Sequence, residues 1–258
     1  MQAKGTILAA VAALVLAAGC NDNNNHVVAI DYPPHRVDGV YSVTGDHLVT
    51  IYWRANQEDD IDYYKVYRNT SATGTFTLIG TSSGTSLADT NVVNGDTYFY
   101  AVSAVDRAGQ ESPELSYENV YDTPRPEGFG VALASDNVND ATSGWDFSAY
   151  ARRASLDPGT DIYYHADVAG GHFLVFASTG TSIQDAGYVP LIDVSYGPPA
   201  GWSTDGVVEA IAGHSYIVLT RDNHYAKFSV VSRDGNGLVM DWAYQIAPDN
   251  PELVKRLP

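Results

Sequence analysis

The 258 residues of the chain include 14 Lys and Arg against 31 Asp and Glu, a formal net charge of −17 at neutral pH. A surface this acidic repels phosphate backbones, so nucleic acid is not expected as a partner. A hydrophobic fraction of 45% excludes wholesale disorder, and a single Cys excludes an intrachain disulfide and a Cys-cluster metal site. Eighteen Tyr and 23 Gly with only two Met favour an all-β fold rich in turns.

Residues 1–19 have the pattern of a signal peptide. Lys4 supplies the positive charge, and the apolar stretch 7–16 is too short to span a bilayer of about 30 Å as a helix. Residues 16–20 read Leu-Ala-Ala-Gly-Cys, which resembles the lipobox of bacterial lipoproteins. The resemblance implies that Cys20 is diacylated and becomes the mature N-terminus. Acyl chains in this number hold a protein durably on a membrane.

The residues that follow the lipobox extend this interpretation. Asn21, in place of Asp, favours export to an outer membrane, and the polar run 21–25 predicts that residues 20–32 form a disordered tether. We therefore expect a lipid-anchored protein of the bacterial cell envelope, on the periplasmic or surface face of the outer membrane. The alternative is a secreted protein with a free Cys.

Short alternating strands separated by turns occupy residues 33–123. Val49, Ile51 and Trp53 alternate with their neighbours, so residues 48–53 form a strand with one face in a core. Further strands are predicted at residues 63–68, 76–80, around Leu87 and at 98–105. Turn sequences lie between them at residues 44–46, 72–74, 94–96 and 107–109. This spacing predicts a β-sandwich of about 90 residues.

Residues 33–123 resemble a fibronectin type III domain, an immunoglobulin-like sandwich, over their whole length. Trp53 matches the core Trp of the second strand, and Tyr-Lys-Val-Tyr at residues 64–67 matches the third. Residues 94–98 match the turn before the sixth strand, with Tyr98 as the tyrosine that bonds back to upstream backbone. The resemblance implies a spacer or a binding module, since such domains rarely perform chemistry.

One loop of this unit is strongly acidic. It contains Glu58, Asp59, Asp60 and Asp62, and carboxylate oxygens are the ligands that Ca²⁺ takes. The loop lacks the Asp-x-Asp-x-Asp-Gly spacing of a dedicated calcium loop, and a solvated connection between strands explains it equally. A calcium site and a plain loop both stay open.

A Pro-rich segment, residues 124–128, leads to residues 129–258. Proline stiffens such segments toward polyproline II, so we expect a linker that holds two units apart. Turn sequences at residues 221–223 and 234–237 favour antiparallel hairpins, and the sequence predicts a second antiparallel β domain. Its strands are predicted at residues 130–133, 161–165, 172–177, 215–220, 225–232 and 238–246, and 140–151 is the best helical or irregular candidate.

Parts of this second unit resemble the HmuY-type lipoproteins, which are β-rich and lipid-anchored and include haem-capturing members. The resemblance rests on Trp-Asp-Phe at residues 145–147, Gly-Trp-Ser at 201–203 and the hairpin at 216–228. It implies a shared fold, with haem capture as an alternative function.

Four His residues of the second unit are the candidates for haem: His165, His172, His214 and His224. Neutral imidazole ligates haem iron, and bis-His ligation needs two of them. A turn at residues 167–171 would bring the first two together, and the other two lie beside hairpin turns. Exposed polar side chains are the alternative. The sequence contains no His-x-x-x-His, His-Glu-x-x-His or His-x-His, so zinc has no support.

Aromatic side chains offer another kind of binding site. A platform that stacks on sugar, steroid or haem rings would draw on six residues: Tyr163, Tyr164, Tyr188, Tyr196, Trp202 and Tyr225. Half-buried packing within strands is the alternative for each of them.

Nucleophilic catalysis has little support. Residues 213–217 begin like the Gly-x-Ser-x-Gly elbow of hydrolases, but Ile217 ends the match. Asp241 and Glu209 are one carboxylate pair for glycoside hydrolysis, although any acidic protein offers such pairs. We therefore expect a non-enzymatic binding or scaffold lipoprotein without a cofactor, whose partners are the membrane and a protein, glycan or haem ligand. Haem or small-ligand capture and an envelope polysaccharide hydrolase are the alternatives.

Overall fold

A computed structural model describes residues 31–116, 120–176 and 180–254. This part of the chain is almost entirely antiparallel β structure, with a single short helix, α1 (Asp136–Asn139), and two 3-10 turns. Residues from Pro33 onward form one compact unit. The predicted signal peptide, Cys20 and the tether up to residue 30 lie outside the described residues. The predicted all-β class is therefore confirmed.

Seven strands form the first sandwich. They are β1 (Tyr41–Gly45), β2 (Leu48–Tyr52), β3 (Ile61–Asn69), β4 (Thr77–Ser82), β5 (Ser86–Asp89), β6 (Tyr98–Asp106) and β7 (Val120–Asp122). One sheet has the order β1-β2-β5 and the other β4-β3-β6-β7, and all neighbours are antiparallel. The structure confirms the five predicted strands to within two residues and adds β1 and β7.

The core of this sandwich follows the alternation in the sequence. Trp53 is 4% exposed, and its ring packs against Tyr64 with centroids 5.3 Å apart. The backbone N–H of Val93 donates to the hydroxyl oxygen of Tyr98 at 3.0 Å. This bond is the tyrosine corner that the sequence predicts, and with the sheet order it confirms a sandwich of the fibronectin type III kind.

Ten strands form the second sandwich. They are β8 (Glu127–Ala134), β9 (Gly144–Asp146), β10 (Ala151–Arg153), β11 (Ile162–Ala166), β12 (His172–Phe176), β13 (Ser182–Gly187), β14 (Val207–Glu209), β15 (Ser215–Leu219), β16 (Tyr225–Arg233) and β17 (Gly237–Tyr244). The sheet orders are β10-β9-β11-β12-β14 and β13-β15-β16-β17-β8. The predicted second antiparallel domain is confirmed. Of the two alternatives for residues 140–151, the helical one is wrong, because a 3-10 turn (Asp140–Thr142) is followed by β9.

Large aromatic side chains fill this second core. Phe228 and Trp242 are cross-strand partners in β16 and β17, and Tyr216 stacks on Phe228 with centroids 5.0 Å apart. The Tyr216 hydroxyl accepts the N–H of Ile211 at 2.8 Å and donates to the carbonyl of Glu209 at 2.7 Å. Each sandwich therefore has a Tyr hydroxyl bonded to the backbone five residues upstream.

The segment that connects the sandwiches is buried. Arg125 is 1% exposed, and its backbone N–H donates to the carbonyl of Gly45 at 3.0 Å. Its Nε donates to the carbonyl of Leu253 at 2.5 Å, and Nη1 forms an ion pair with Glu127 at 3.0 Å. Arg125 therefore bonds to a hairpin of the first sandwich and to the C-terminal part of the second.

The prolines beside Arg125 are bonded through their carbonyl groups. The N–H of Gly95 donates to Pro124 at 2.8 Å, and the N–H of Tyr244 donates to Pro126 at 2.9 Å. The expectation that residues 124–128 hold two units apart is therefore wrong. Proline has no N–H, but its carbonyl still accepts, so this segment bonds to both sandwiches.

Candidate ligand cleft

A cleft opens where the β1–β2 hairpin approaches the second sandwich. Val43 and Leu48 of the hairpin lie on one side, and Phe129, Leu191 and Ile192 lie on the other. Its volume of about 360 Å³ is that of a small ligand site. The charged side chains that line it are Arg125, Glu127, Lys227 and Asp241.

One wall of the cleft is held by a buried lysine. Lys227 lies on the face of β16 that points away from the aromatic core and is 1% exposed. Its Nζ donates to the carbonyls of Leu191 at 2.7 Å and Val194 at 2.8 Å. The ammonium group thereby fixes the 3-10 turn Leu191–Asp193, which carries the apolar wall. Phe129 is 71% exposed and leaves an apolar surface open to a ligand.

The charged floor of the cleft is the ion pair of Arg125 and Glu127. Burial lowers the pKa of Arg125, and the charge and hydrogen bond of Glu127 oppose that effect. Because the guanidinium is buried and paired with a carboxylate, its position in the cleft is fixed.

A second cavity of about 410 Å³ shares Glu127 and Trp242 with the first. We call the two cavities together the junction cleft. Asp46 and Asn94 contribute polar groups from the first sandwich, and Tyr150 contributes an aromatic ring from the second. Nδ2 of Asn94 donates to Asp46 at 2.7 Å, so the two side chains are positioned together.

Tyr150 is the most unusual residue of the junction cleft. Its φ is 52°, in the left-handed region that a bulky side chain seldom adopts, at a cost of about 1–3 kcal/mol. Its ring is 45% exposed and stacks on Trp242, with centroids 5.5 Å apart and planes at 20°. Burial, together with the charge of Asp46, raises the pKa of Tyr150. The strained backbone therefore presents an aromatic face beside a carboxylate.

A row of rings supports Trp242 from behind. Trp145 lies 5.3 Å from it and Phe147 lies 6.3 Å from it, and Phe147 is stacked with Tyr244 at 6.4 Å. Close packing of rings leaves Trp242 few alternative positions. The aromatic surface under Tyr150 is therefore rigid.

The structure places His165 and His172 on opposite faces of one sheet. Ala166 pairs with His172 and His165 pairs with Phe173, and cross-strand partners share a face. His165 Nδ1 lies 2.9 Å from an Asp136 oxygen, and His172 Nδ1 lies 2.5 Å from the Tyr164 hydroxyl. This pair does not present two imidazoles to one ligand.

His214 and His224 lie at opposite ends of the β15–β16 hairpin. The carbonyl of His214 accepts the N–H of Val230, whereas His224 is next to Tyr225 at the turn. Tyr225 and Val230 are five residues apart along β16, which in a strand is a distance of about 16 Å. His214 is paired with Asp185 at 2.9 Å. Haem ligation by these four His stays a prediction, without support from their placement.

The predicted platform aromatics do not form one surface, and Tyr164 is fully buried in the core. Trp202 and Tyr225 are 6.5 Å apart and both pack on a small apolar cluster. Tyr188 is 77% exposed and meets His214 edge-on at 4.1 Å, while Tyr163 is half-buried in β11 of the other sheet. The exposed aromatic side chains of the junction cleft are Tyr150 and Phe129, neither of which was predicted from the sequence.

The acidic loop divides into separate environments. Burial alone would raise the pKa of Glu58, but the N–H and imidazole of His35 outweigh it and lower the pKa to about 2. Asp60 instead lies beside Asp106, the last residue of β6. The predicted hydrolase pair is also divided, with Asp241 on β17 and Glu209 on β14 of the opposite sheet.

No signal in the sequence pointed to the junction cleft. Its residues come from both sandwiches, so no local spacing brings them together. The nearest indication in the sequence is Pro-Arg-Pro at residues 124–126, where a charged Arg lies between two residues that have no backbone N–H. Within the described residues, no helix has the length and apolar character needed to cross a membrane.

Comparison with known proteins finds partial likenesses, and no family model matches the chain. The chain is 36% identical over 97 residues to an amylopullulanase of Thermoanaerobacterium saccharolyticum, covering 37% of the chain and 7% of that protein. It is 32% identical over 145 residues to exoglucanase B of Cellulomonas fimi, covering 53% of the chain and 13% of that protein. The chain thus spans only a small part of these curated relatives.

A likeness to a solved structure covers part of the chain. It is an Fn3-like protein from Clostridium thermocellum, 27% identical, which aligns with 38% of this chain and 100% of its own at a TM-score of 0.31.

Proposed function

We propose that this protein is a non-catalytic, lipid-anchored binding or scaffold protein of the bacterial envelope, with the junction cleft as its binding site. The observation that carries the proposal is the exposed, strained ring of Tyr150 stacked on Trp242. Strained backbone conformations of this kind cluster at functional sites. A rigid aromatic face inside a cleft is a surface for a ligand rather than a centre for bond cleavage.

An oligosaccharide is the ligand that the cleft suits best. The C–H face of a sugar ring packs on an aromatic ring, and its hydroxyls bond to carboxylates and amides. Tyr150 supplies the ring, and Asp46, Asn94 and Glu127 supply the polar groups. The partial likeness to an amylopullulanase and an exoglucanase supports the same ligand class.

The test is a titration of the full-length protein, purified in detergent, with malto- and cello-oligosaccharides, followed by calorimetry and Trp fluorescence. We expect Tyr150→Ala to weaken binding about tenfold, the equivalent of about 1.4 kcal/mol. Tyr188→Ala removes a more exposed ring that lies outside the cleft and should leave binding unchanged. Absence of binding, or equal binding by Tyr150→Ala, contradicts the proposal, and turnover of the sugars contradicts its non-catalytic part.

The membrane anchor is supported by the sequence of residues 16–20, in which Cys20 ends the apolar stretch. We expect Cys20→Ser to move the protein from the membrane fraction to the soluble fraction, because the thiol that carries the lipid is gone. Met240→Leu, a buried change elsewhere, serves as the control. Membrane retention of Cys20→Ser would contradict lipidation.

The likeness of residues 129–258 to HmuY-type lipoproteins stays a prediction. Haemin titration tests the haem capture that this likeness implies. Because His165 and His172 lie on opposite faces, we expect no sharp Soret shift at one equivalent of haemin. A sharp shift that a His→Ala change at position 214 or 224 removes would favour haem capture instead.

A further inference from the structure

Two carboxylates meet at one end of the first sandwich. Asp60 directly precedes β3, and Asp106 is the last residue of β6. Ile61 pairs with Asp106 across these central strands, and the N–H of Arg107 donates to the carbonyl of Asp60 at 2.9 Å. As a result, an oxygen of one carboxylate lies within 4.8 Å of an oxygen of the other.

Asp106 is held rigidly but incompletely satisfied. Its side chain accepts the N–H of Gln110 on Oδ1 at 2.8 Å, and its own N–H donates to the Gln110 carbonyl at 3.0 Å. The residue is 1% exposed, and no described residue donates to Oδ2. A buried carboxylate oxygen without a partner is costly, so Oδ2 is the atom left for a ligand.

The basic side chains near these two carboxylates do not pair with them. Lys65, five positions along the chain from Asp60, pairs with Glu111 at 2.5 Å, and Arg107, directly after Asp106, forms no ion pair within the described residues. None of the ion pairs in the described part of the chain includes Asp60 or Asp106. The two carboxylates therefore have no ion-pair partner among the described residues.

We propose that Asp60 and Asp106 bind Ca²⁺, with Oδ2 of Asp106 as the buried ligand. Calcium–oxygen distances are about 2.3–2.6 Å, so two ligands of one ion lie up to about 5 Å apart, which the separation here allows. Oxygen donors favour this hard cation over transition metals. The bound ion ties the beginning of β3 to the end of β6 and so stabilises the first sandwich. It is independent of any ligand in the junction cleft.

The experiment measures thermal unfolding and Tb³⁺ luminescence of the full-length protein after treatment with EDTA. Ca²⁺ at about one hundred times its Kd should raise the Tm by about 5–10 °C, because the ion binds only the folded state. Tb³⁺, excited through nearby Tyr and Trp rings, should luminesce and be displaced by Ca²⁺.

Asp60→Asn and Asp106→Asn should each weaken Ca²⁺ binding about tenfold or more, since each removes a charged ligand. Asp60 is only half-buried, so its variant keeps the test valid where the buried Asp106→Asn fails to fold. Asp62→Asn, at the second residue of β3 in the same acidic run, is the matched control and should respond like the unmodified protein. The proposal is overturned by an absent Tm shift, by an unchanged response of Asp60→Asn, or by loss of the response in Asp62→Asn.

Discussion

The carboxyl group of Asp161 lies fully buried in the second sandwich. Its two oxygens accept the N–H of Phe147 at 2.9 Å and Nη1 of Arg221 at 2.7 Å. Burial raises the pKa of Asp161 to about 6, although these two partners act in the opposite direction. An Asp in the unfolded chain titrates near 3.9, so the folded protein binds this proton more tightly.

A pH dependence follows from that raised pKa. The stabilisation from the proton on Asp161 is complete below about pH 4 and is lost as the pH rises through about 6. Asp161→Asn lacks this titration, so the free energy of unfolding of the unmodified protein should fall relative to the variant by roughly 2–3 kcal/mol between pH 4 and pH 7. Urea unfolding at four pH values measures the difference. A constant difference across this range would contradict the prediction.

The two Tyr hydroxyls that bond to upstream backbone should contribute differently to the free energy of unfolding. Tyr216→Phe leaves the N–H of Ile211 and the carbonyl of Glu209 without their partner, whereas Tyr98→Phe affects only the N–H of Val93. We expect losses of about 2–3 kcal/mol and about 1 kcal/mol in the free energy of unfolding, because partly buried groups left without a partner destabilise the fold, and Tyr216→Phe leaves two of them. Denaturant titration checks the order, with the exposed Tyr188→Phe as the control. A larger loss for Tyr98→Phe would contradict it.

Strands were predictable from sequence where alternation ran for five residues or more, as in β2, β3, β16 and β17. Alternation of apolar and polar residues indicates a strand with one buried face and one solvent-exposed face. Three-residue strands such as β9, β10 and β14 are too short to show a period, and β9 is buried on both faces. Their position is decided by pairing with distant strands, which local sequence does not report.

The turn before β6 offers a prediction about an element. Gly95 has φ 88°, and a Cβ there would lie 2.9 Å from Ile246 of the second sandwich. Gly95→Ala should therefore cost about 2–4 kcal/mol, from backbone strain together with the clash. Gly187 has φ 78° with open space around it, so Gly187→Ala should cost only the strain, about 1 kcal/mol. Thermal unfolding compares them, and equal losses would show that Ile246 moves aside.

The candidate site was harder to predict than the strands for a physical reason. Tyr150 directly precedes β10 of the second sandwich, while Asp46 and Asn94 belong to turns of the first. Hydrophobic periodicity and turn motifs report on residues that are close in sequence, whereas a cleft is formed by residues that are close only in space. Asp60 was named from the acidic loop, but its partner Asp106 lies 46 positions further along.

At the scale of the molecule, Arg125 joins the sandwiches through buried bonds. We expect the described unit to unfold in one cooperative transition, because each half is bonded to the same segment. Arg125→Ala leaves Glu127 and the Leu253 carbonyl unpaired and should lower stability by about 3–5 kcal/mol, with two transitions replacing one. Calorimetry is the measurement, and the exposed Arg152→Ala is the control. A single unshifted transition in Arg125→Ala would contradict this account.

The bond from Arg125 to Leu253 joins positions 128 residues apart, and Glu252 receives the hydroxyl of Tyr121 beside it. Leu253 itself is completely enclosed. A protease that removed residues 252–254 would therefore take away bonds that join the two sandwiches. A cargo fused beyond Val254 calls for a spacer long enough to leave these bonds intact.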